Sequence, residues 1–414
     1  MKILILHRIP YHKIDYGRGI NHEEHDVTYF GRTEILDSIP PSLRCEKVLR
    51  PEGQDVYESA ANLFDGNFDF VISLSEYELI EAAKLRELWG VPGPTVSQTE
   101  QVRNKVLMKA LVGAQGIRVP RNGACHLLNY QLDSQLWSGP TVLKPVDGAS
   151  SENVVVYPTF MEALHVLRSG KTGIPGFDPR RYQIEEFIKG PILHIDGLVK
   201  DGELITVLAS RYIGTCLQFA EGSPLGSVQL DPEISGELFA WSSRCLSAVG
   251  LTQGAFHLEA ILTPHGPVFL EVGARVGGAD VVDTFELATG VHLPSTELQI
   301  ILGEEINLPK AWKGRDSRYG WFVFPGHHLG TEHCRLHGVE EFPWSPQVFR
   351  WNQLSPHERL PSQITYQAKE VPVAGILEGS TTACIEKLMK QIFSKIEVLP
   401  QSIEPFALPT PRWV

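Results

Sequence analysis

Long apolar runs are absent from this chain. No stretch approaches the roughly 20 consecutive apolar residues that cross a bilayer, and Met1-Lys-Ile-Leu-Ile-Leu-His7 is too short an apolar run for a signal-peptide core. These absences predict a cytoplasmic protein with no membrane partner. Cysteine is scarce too: six residues (Cys45, Cys125, Cys216, Cys245, Cys334, Cys384) are scattered with no Cys-x-x-Cys pair, which argues against a disulfide framework or a zinc site. Basic runs are missing, and 37 Lys+Arg against 49 Asp+Glu leave a net charge of −12, which excludes a nucleic-acid binder held mainly by phosphate contacts. There is no internal repeat and no low-complexity segment. What remains is a chain of 414 residues, 43% hydrophobic and 21% charged, with material for a large core and several structural units.

The runs 2–6 and 69–74 are continuously apolar, as in strands buried on both faces, and each opens into a polar loop. A helix through Glu78–Leu88, stopped by Gly90 and Pro92, follows the second, so the N-terminal part reads as a parallel α/β unit. Ser97-Gln-Thr-Glu100 reads as a capping box opening one helix that carries Lys105 and Lys109 and ends near Gly113–Gly116. Strands are expected at 141–144, 154–157, 182–188 and 192–199, with helices from Thr159 to about Gly170 and from Asp231-Pro232 to Gly250. From about Lys310 the pattern changes to a strand at Tyr319–Phe324, an irregular stretch 331–365, a last helix at Thr382–Ile396 and an extended tail Leu408–Val414.

The most informative stretch is a hairpin, 255–262 and 267–272, around Thr263-Pro-His-Gly-Pro267. A turn centred on His265 sets Glu259 opposite Glu271, His257 opposite Gly273 and Ala255 opposite Arg275, on one sheet face. Two opposed carboxylates repel unless a cation lies between them. Hard oxygen donors favour Mg²⁺, which completes its shell with substrate phosphates, and Arg275 adds a fixed cation for phosphate oxygens. The competing reading is a solvated face with Glu–Arg pairing. The apolar neighbours Phe256, Leu258, Ile261, Phe269 and Leu270 weigh against it, because they bury the sheet on at least one side.

Two further stretches are weak alone. Lys144-Pro-Val-Asp-Gly-Ala-Ser-Ser-Glu-Asn153 is a small-residue loop between strands, whose backbone N–H groups can approach a phosphate and which can close as a flap. It lacks the Gly-x₄-Gly-Lys-Ser/Thr of a P-loop, and a plain hairpin loop competes. Gln183-Ile-Glu-Glu-Phe-Ile-Lys-Gly190 ends a strand at a hinge-like Gly, where a carboxylate and exposed backbone could read an adenine edge; a charged edge strand competes.

In order along the chain, Val91-Pro-Gly-Pro94, Arg103-Asn-Lys105, Lys144-Pro145 with its loop, Glu185-Glu-Phe-Ile188-x-Gly190, His257-x-Glu259 and Glu271-x-x-x-Arg275-x-Gly-Gly278 resemble the ATP-grasp superfamily in its carboxylate–amine ligase branch, over roughly residues 66–305. The resemblance implies an α/β (α+β) protein. Its parts would be an N-terminal parallel α/β domain (1–96), a helix plus lid subdomain (97–190), an antiparallel-sheet catalytic subdomain (191–310) and a C-terminal extension (311–414). It implies ATP held between two lobes, with Lys105, Lys144 and the flap residues Gly148, Ser150 and Ser151 on the phosphates. Glu185, Glu186 and the Phe187–Ile188 backbone would hold the adenine. Glu259 and Glu271 would bind two Mg²⁺ ions, with Mn²⁺ an alternative. Arg275, with Lys144, would stabilise the transferring phosphoryl group and the acyl phosphate, and Gly277 and Gly278 would lie near substrate.

The chain departs from the family pattern in three places. Gly273 stands where the family usually has a metal-binding Asn; His257, opposite it, could fill that space, and a satisfied core histidine is the other reading. Ile192 replaces the ribose carboxylate, and strand alternation offers His194 or Asp196 in its stead. Asn153 takes a flap position where Gly is common, a mild change because Asn tolerates left-handed backbone. The pattern resembles amino-acid ligases that make dipeptides or related amides. Two weaker candidates complete the set: Arg211, before a Gly/Ser-rich loop 215–228 expected to cover the substrate, for a substrate carboxylate or phosphate, and Glu76, after a buried strand, for a substrate ammonium group. A surface arginine and an ordinary helix-start glutamate are the competing readings.

The implied reaction is ATP-dependent ligation. A carboxylate is phosphorylated to an acyl phosphate, then attacked by an amine, with ADP and phosphate released. Small carboxylate and amine substrates, amino acids among them, are the expected partners, and a homodimer is the expected assembly. The alternatives are a thiol acceptor on a carrier protein, a kinase on the same scaffold, and a nucleotide-binding module without chemistry.

Overall fold

The computed structural model describes residues 1–128, 137–148, 151–309 and 316–401, the side chains of 233–235 excepted. These residues form two compact units, one holding 1–211 and 229–309 and the other 212–228 and 316–401.

The first unit opens with β1 (Lys2–His7), the short helix α1 (Tyr11–Ile14), β2 (Asp26–Gly31), α2 (Thr33–Leu36), β3 (Glu46–Leu49), α3 (Val56–Leu63), β4 (Phe70–Ile72) and α4 (Leu79–Trp89). The strands make a parallel sheet in the order β3-β2-β1-β4. Its faces bury Ile3 and Ile5 on one side and Leu4 and Leu6 on the other, as continuous hydrophobicity requires. Gly90 closes α4 at φ +67.

The expected single helix through 97–113 is two. Thr95, not Ser97, caps α5 (Val96–Gln101) and shares a reciprocal box with Gln98. The chain then breaks, and the Asn104 side chain caps α6 (Lys105–Ala114) by accepting from the Val106 and Leu107 N–H groups. This second start puts Lys105 in the first turn and Lys109 one turn later on the same side. Next come β5 (Asn122–Ala124), β6 (Thr141–Pro145), β7 (Val155–Tyr157), α7 (Phe160–Ser169) and β8 (Tyr182–Glu186), with sheet order β5-β8-β6-β7.

A third sheet joins β9 (Ile192–Lys200), β10 (Glu203–Ile213), and, after α8 (Cys216–Ala220), β11 (Leu225–Gln229) and α9 (Pro232–Ala248), the hairpin β12 (Gly254–Thr263) and β13 (Gly266–Gly273). Within the first unit its order is β13-β12-β9-β10. Leu193, Ile195, Phe256, Leu258, Phe269 and Val272 fill one face and pack with α6 and α9. The helices α10 (Val281–Thr289) and α11 (Leu293–Leu302) follow.

The hairpin turn is one residue tighter than a turn centred on His265: Thr263 pairs with Gly266 across Pro264 and His265. A register shift at Glu259/Ala260 compensates, with Leu270 as the extra residue, so Glu259 faces Glu271 and His257 faces Gly273. The expected pairing of Ala255 with Arg275 does not form, because β13 ends at Gly273.

In the second unit, β11, β14 (Arg318–Val323), β17 (Val373–Gly379) and β16 (Val348–Gln353) lie in the order β11-β14-β17-β16, and β15 (His333–His337) pairs with β18 (Glu397–Gln401). Strands therefore occupy part of 331–365, read as irregular. The helix α12 (Thr382–Lys395) packs on this sheet through Ile385, Met389 and Ile392. Residues 215–228, read as a covering loop, hold α8 and most of β11 and belong to this unit. The tail Leu408–Val414 lies outside the described residues. All six cysteines are free, and among the described residues no helix is long and apolar enough to cross a membrane.

Candidate active site

The second face of the β13-β12-β9-β10 sheet is polar. Strand alternation places His194 and Asp196 of β9, His257 and Glu259 of β12, and Glu271 of β13 on it, opposite the apolar row. The register pairs His257 with Asp196 and Glu259 with both His194 and Glu271.

Lysines from two other elements converge on Glu271. Lys105 Nζ lies 3.7 Å and Lys144 Nζ 3.6 Å from its carboxylate. Lys144 also pairs with Glu185 at 2.7 Å, and Lys109 pairs with Glu185 at 3.1 Å. Burial opposes charge on Glu271, but Lys105, Lys144, Lys109 and Arg275 overcome it and hold its carboxyl down at about 2. Burial also opposes charge on Glu185, and Lys109 and Lys144 win there too. Burial pulls Lys109, with no exposed side-chain surface, down to about 8 against the attraction of Glu185. For Lys144 the carboxylates outweigh burial and raise it.

Glu76 ties the N-terminal sheet to this cluster. It follows β4 in a short 3₁₀ turn and takes ion pairs from Arg103 and from Arg275, the latter at 2.6 Å. Arg103 also donates to the Asp147 carbonyl, and Lys105 donates to the Gly148 carbonyl at 2.6 Å, so both anchor the start of the flap. Glu76, expected to partner a substrate ammonium, has its oxygens engaged by two guanidinium groups.

Other expected site residues are placed as follows. His194 and Asp196, offered for the ribose, are each 2% exposed and locked together, with Asp196 accepting from His194 Nδ1 at 2.5 Å and facing His257 Nδ1 at 2.7 Å. Burial works against the Asp196 charge, and the two imidazoles hold its carboxyl far below the usual range; in return Asp196 raises His257 to about 9 despite burial. His257 does not fill the space beside Gly273: a Cβ there would meet the Arg275 Cγ at 3.4 Å and a Glu76 oxygen at 3.8 Å. Arg211 is paired with Leu193, so alternation sets it in the apolar row with Val207 and Ala209, on the face away from Glu259 and Glu271.

At the hinge, Glu186 pairs with Arg121 at 3.6 Å, Phe187 is 44% exposed and donates its N–H to the Pro140 carbonyl, and Ile188 is half-buried. On the flap, Ser151 and Asn153 both have left-handed backbone, φ +55 and +56, the conformation expected of Asn153; Ser150 lies outside the described residues. Gly277 is held close, since a Cβ would lie 2.8 Å from Asp196 Oδ1, whereas Gly278 faces open space. Sequence reading assigned no role to Lys109 and no anchoring role to Arg103, and showed no sign of the Asp196 bridge. Lys109 had a signal, its i+4 spacing from Lys105 on one helix.

The donor set suits a hard divalent cation. Glu259 and Glu271 are directly opposed oxygen donors that keep 16% and 29% of their side-chain surface, while Asp196 and Glu185 are shut at 3% and 4%.

No protein-family model matches the chain. It is 25% identical over 317 residues to the L-arginine-specific L-amino acid ligase of Bacillus subtilis, spanning 74% of this chain and 71% of that protein. It is 23% identical over 362 residues to the alanine–anticapsin ligase of Bacillus subtilis, spanning 80% and 70%. A crystal structure of an L-amino acid ligase from Bacillus licheniformis superposes with a TM-score of 0.69 at 21% identity, covering 97% of this chain and 98% of that one. The fold is that of ATP-grasp proteins, and the motif order resembles theirs. Within that superfamily the chain is similar to carboxylate–amine ligases, L-amino acid ligases among them.

Proposed function

We propose that this chain is an ATP-dependent ligase that joins a carboxylate to an amine through an acyl phosphate, with an amino acid as a substrate. The observation that carries the reading is the pair Glu259–Glu271, opposed on one sheet face with Lys105 and Lys144 within 4 Å of Glu271. The relatives' activities point the same way.

The physical problem is to bring a carboxylate onto a polyanion. In the free protein, Lys105, Lys144 and Lys109 are neutralised by Glu271 and Glu185. An arriving triphosphate offers Lys105 and Lys144 new oxygen partners. Glu259 and Glu271 would hold Mg²⁺ or Mn²⁺, which supplies neutralisation of phosphate charge when bound. Arg275, fixed by Glu76, supplies a guanidinium for the transferring phosphoryl group. The substrate carboxylate oxygen attacks the γ-phosphorus as the bond to ADP breaks. The amine then attacks the acyl carbon, and phosphate leaves. Positioning and charge neutralisation supply the rate, with no side-chain nucleophile. Glu185, with the Phe187–Ile188 backbone, would face the adenine. The flap anchored by Arg103 and Lys105 would exclude water from the acyl phosphate.

The test is amino-acid-dependent phosphate release, repeated with hydroxylamine as surrogate acceptor. Hydroxamate with ADP and phosphate is the expected result. ADP with a phosphorylated product and no free phosphate would make the protein a kinase. Product formed only with a thiol acceptor would make it an acyl–thiol ligase, and ATP binding without turnover a binding module.

A further inference from the structure

We propose that His257, oriented by Asp196, is a positioning residue that fixes the Glu259 carboxylate; this rests on the reading of Glu259 as a metal ligand. Asp196 sits between two imidazoles, its Oδ2 2.5 Å from His194 Nδ1 and its Oδ1 2.7 Å from His257 Nδ1. A carboxylate only accepts, so both Nδ1 atoms carry hydrogen. That fixes the His257 ring, whose other nitrogen, Nε2, is aimed along the strand at Glu259 Oε1, 3.5 Å away. The ring therefore spans two carboxylates, one closed to solvent and one open to it, with side-chain exposures of 3% and 16%. A contact to Oε1 leaves Oε2 of Glu259 for a cation.

The surroundings favour a rigid bridge. His257 and Asp196 are direct cross-strand partners, so the sheet sets their separation. The Gly277 backbone lies so close to Asp196 that a Cβ would lie 2.8 Å from Oδ1, and the Asp196 side chain is 3% exposed. Gly273, opposite His257, contributes no side chain, and Arg275 and Glu76 occupy the space beside it. The chain thus has an orienting histidine on one carboxylate where a further oxygen donor is missing. Hydrogen-bonded partners behind a ligand change metal affinity by about 10- to 100-fold when removed.

The two amide replacements of His257 separate its two contacts. Asn reproduces the Nδ1 donor and keeps Asp196 satisfied but cannot reach Glu259; Gln reproduces Nε2 and keeps Glu259 but not Asp196. Mn²⁺ binding to the full-length protein with a non-hydrolysable ATP analogue, read by the electron paramagnetic resonance of free Mn²⁺, gives affinity and stoichiometry without turnover. His257→Asn is expected to weaken Mn²⁺ binding by about 10-fold or more with the number of ions unchanged, and His257→Gln by about threefold. Asp196→Asn is expected to weaken it in the same direction, which covers the case of a poorly folding His257 variant. Wild-type Mn²⁺ affinity in His257→Asn would overturn the proposal while loss of binding in Glu259→Gln left the metal reading standing. Unchanged binding in Glu259→Gln would instead remove that reading. A lower ion count in His257→Asn would make the ring a ligand rather than a positioning group, and would also overturn the proposal.

Discussion

The two faces of the β13-β12-β9-β10 sheet are built from the same strands and stabilised by opposite means. One face presents Leu193, Ile195, Phe256, Leu258 and Phe269, each fully buried, and needs only volume and close packing. The other presents His194, Asp196, His257, Glu259 and Glu271, where burial penalises every charge. There the charges are paired: Asp196 lies between two imidazoles, Glu271 between two lysines, and Glu185 of the neighbouring sheet between Lys109 and Lys144. The apolar face tolerates substitution of similar size. The polar face tolerates little, because removing one partner strands the other.

The largest expected effect is on the polar face. Glu271→Gln keeps the size and removes the charge that gathers Lys105 and Lys144; ligation is expected to fall by about a thousandfold or more. Near-normal turnover would break the comparison, since the face would then be structural. Phe256→Ala tests the other side of the same strand. Phe256 is 0% exposed, and its truncation is expected to cost about 4 kcal/mol of stability in a denaturant titration. Gly277→Ala tests how closely the polar face is packed. The new Cβ would meet Val281 Cγ1 at 2.7 Å and Asp196 Oδ1 at 2.8 Å, and a loss of about 2 kcal/mol is expected; Gly278→Ala, facing open space, is expected to fall within about 0.5 kcal/mol of wild type.

How much of this was legible depends on sequence distance. The Glu259–Glu271 opposition is a matter of alternation across a short turn, and a sequence can show that. It survived a misplaced turn centre only because Leu270 bulges and restores the register, a compensation that no local pattern announces. The parallel sheet was legible at β1 and β4, whose runs are continuously apolar. β16 (Val-Phe-Arg-Trp-Asn-Gln) was not, because charged and amide residues interrupt its period. The start of α6 was misplaced because Thr95 and Asn104, rather than the Ser97–Glu100 pair, turned out to hold the caps. The Asp196–His257 bridge spans 61 residues between strands with no hairpin to join them, so its register is a property of tertiary structure alone.

Glu297 carries the comparison to its sharpest test, because it is a buried acid with no cation among the described residues. It sits on α11, 5% exposed, and accepts the Ala255 N–H at 3.1 Å, at the start of the strand that carries His257 and Glu259. Burial pushes its carboxyl up from 4.5 to about 7, against a small opposing effect of that hydrogen bond. Between those pH values the folded chain holds a proton that the unfolded chain has released, so its contribution to stability falls as pH rises from about 4.5 to 7 and stays low above. Asp196 has the opposite sign: its folded carboxyl lies below its free value, so its contribution is present above the free value and is lost as pH falls through the folded one. Glu297→Gln keeps the carbonyl that accepts from Ala255 and removes the charge. It is expected to raise stability at pH 8 by about 2 kcal/mol and to flatten the stability profile between pH 5 and 7, measured by denaturant titration across pH. A variant less stable than wild type at pH 8 would mean that burial does not penalise the Glu297 charge, and that this fold buries unpaired charge as readily as paired.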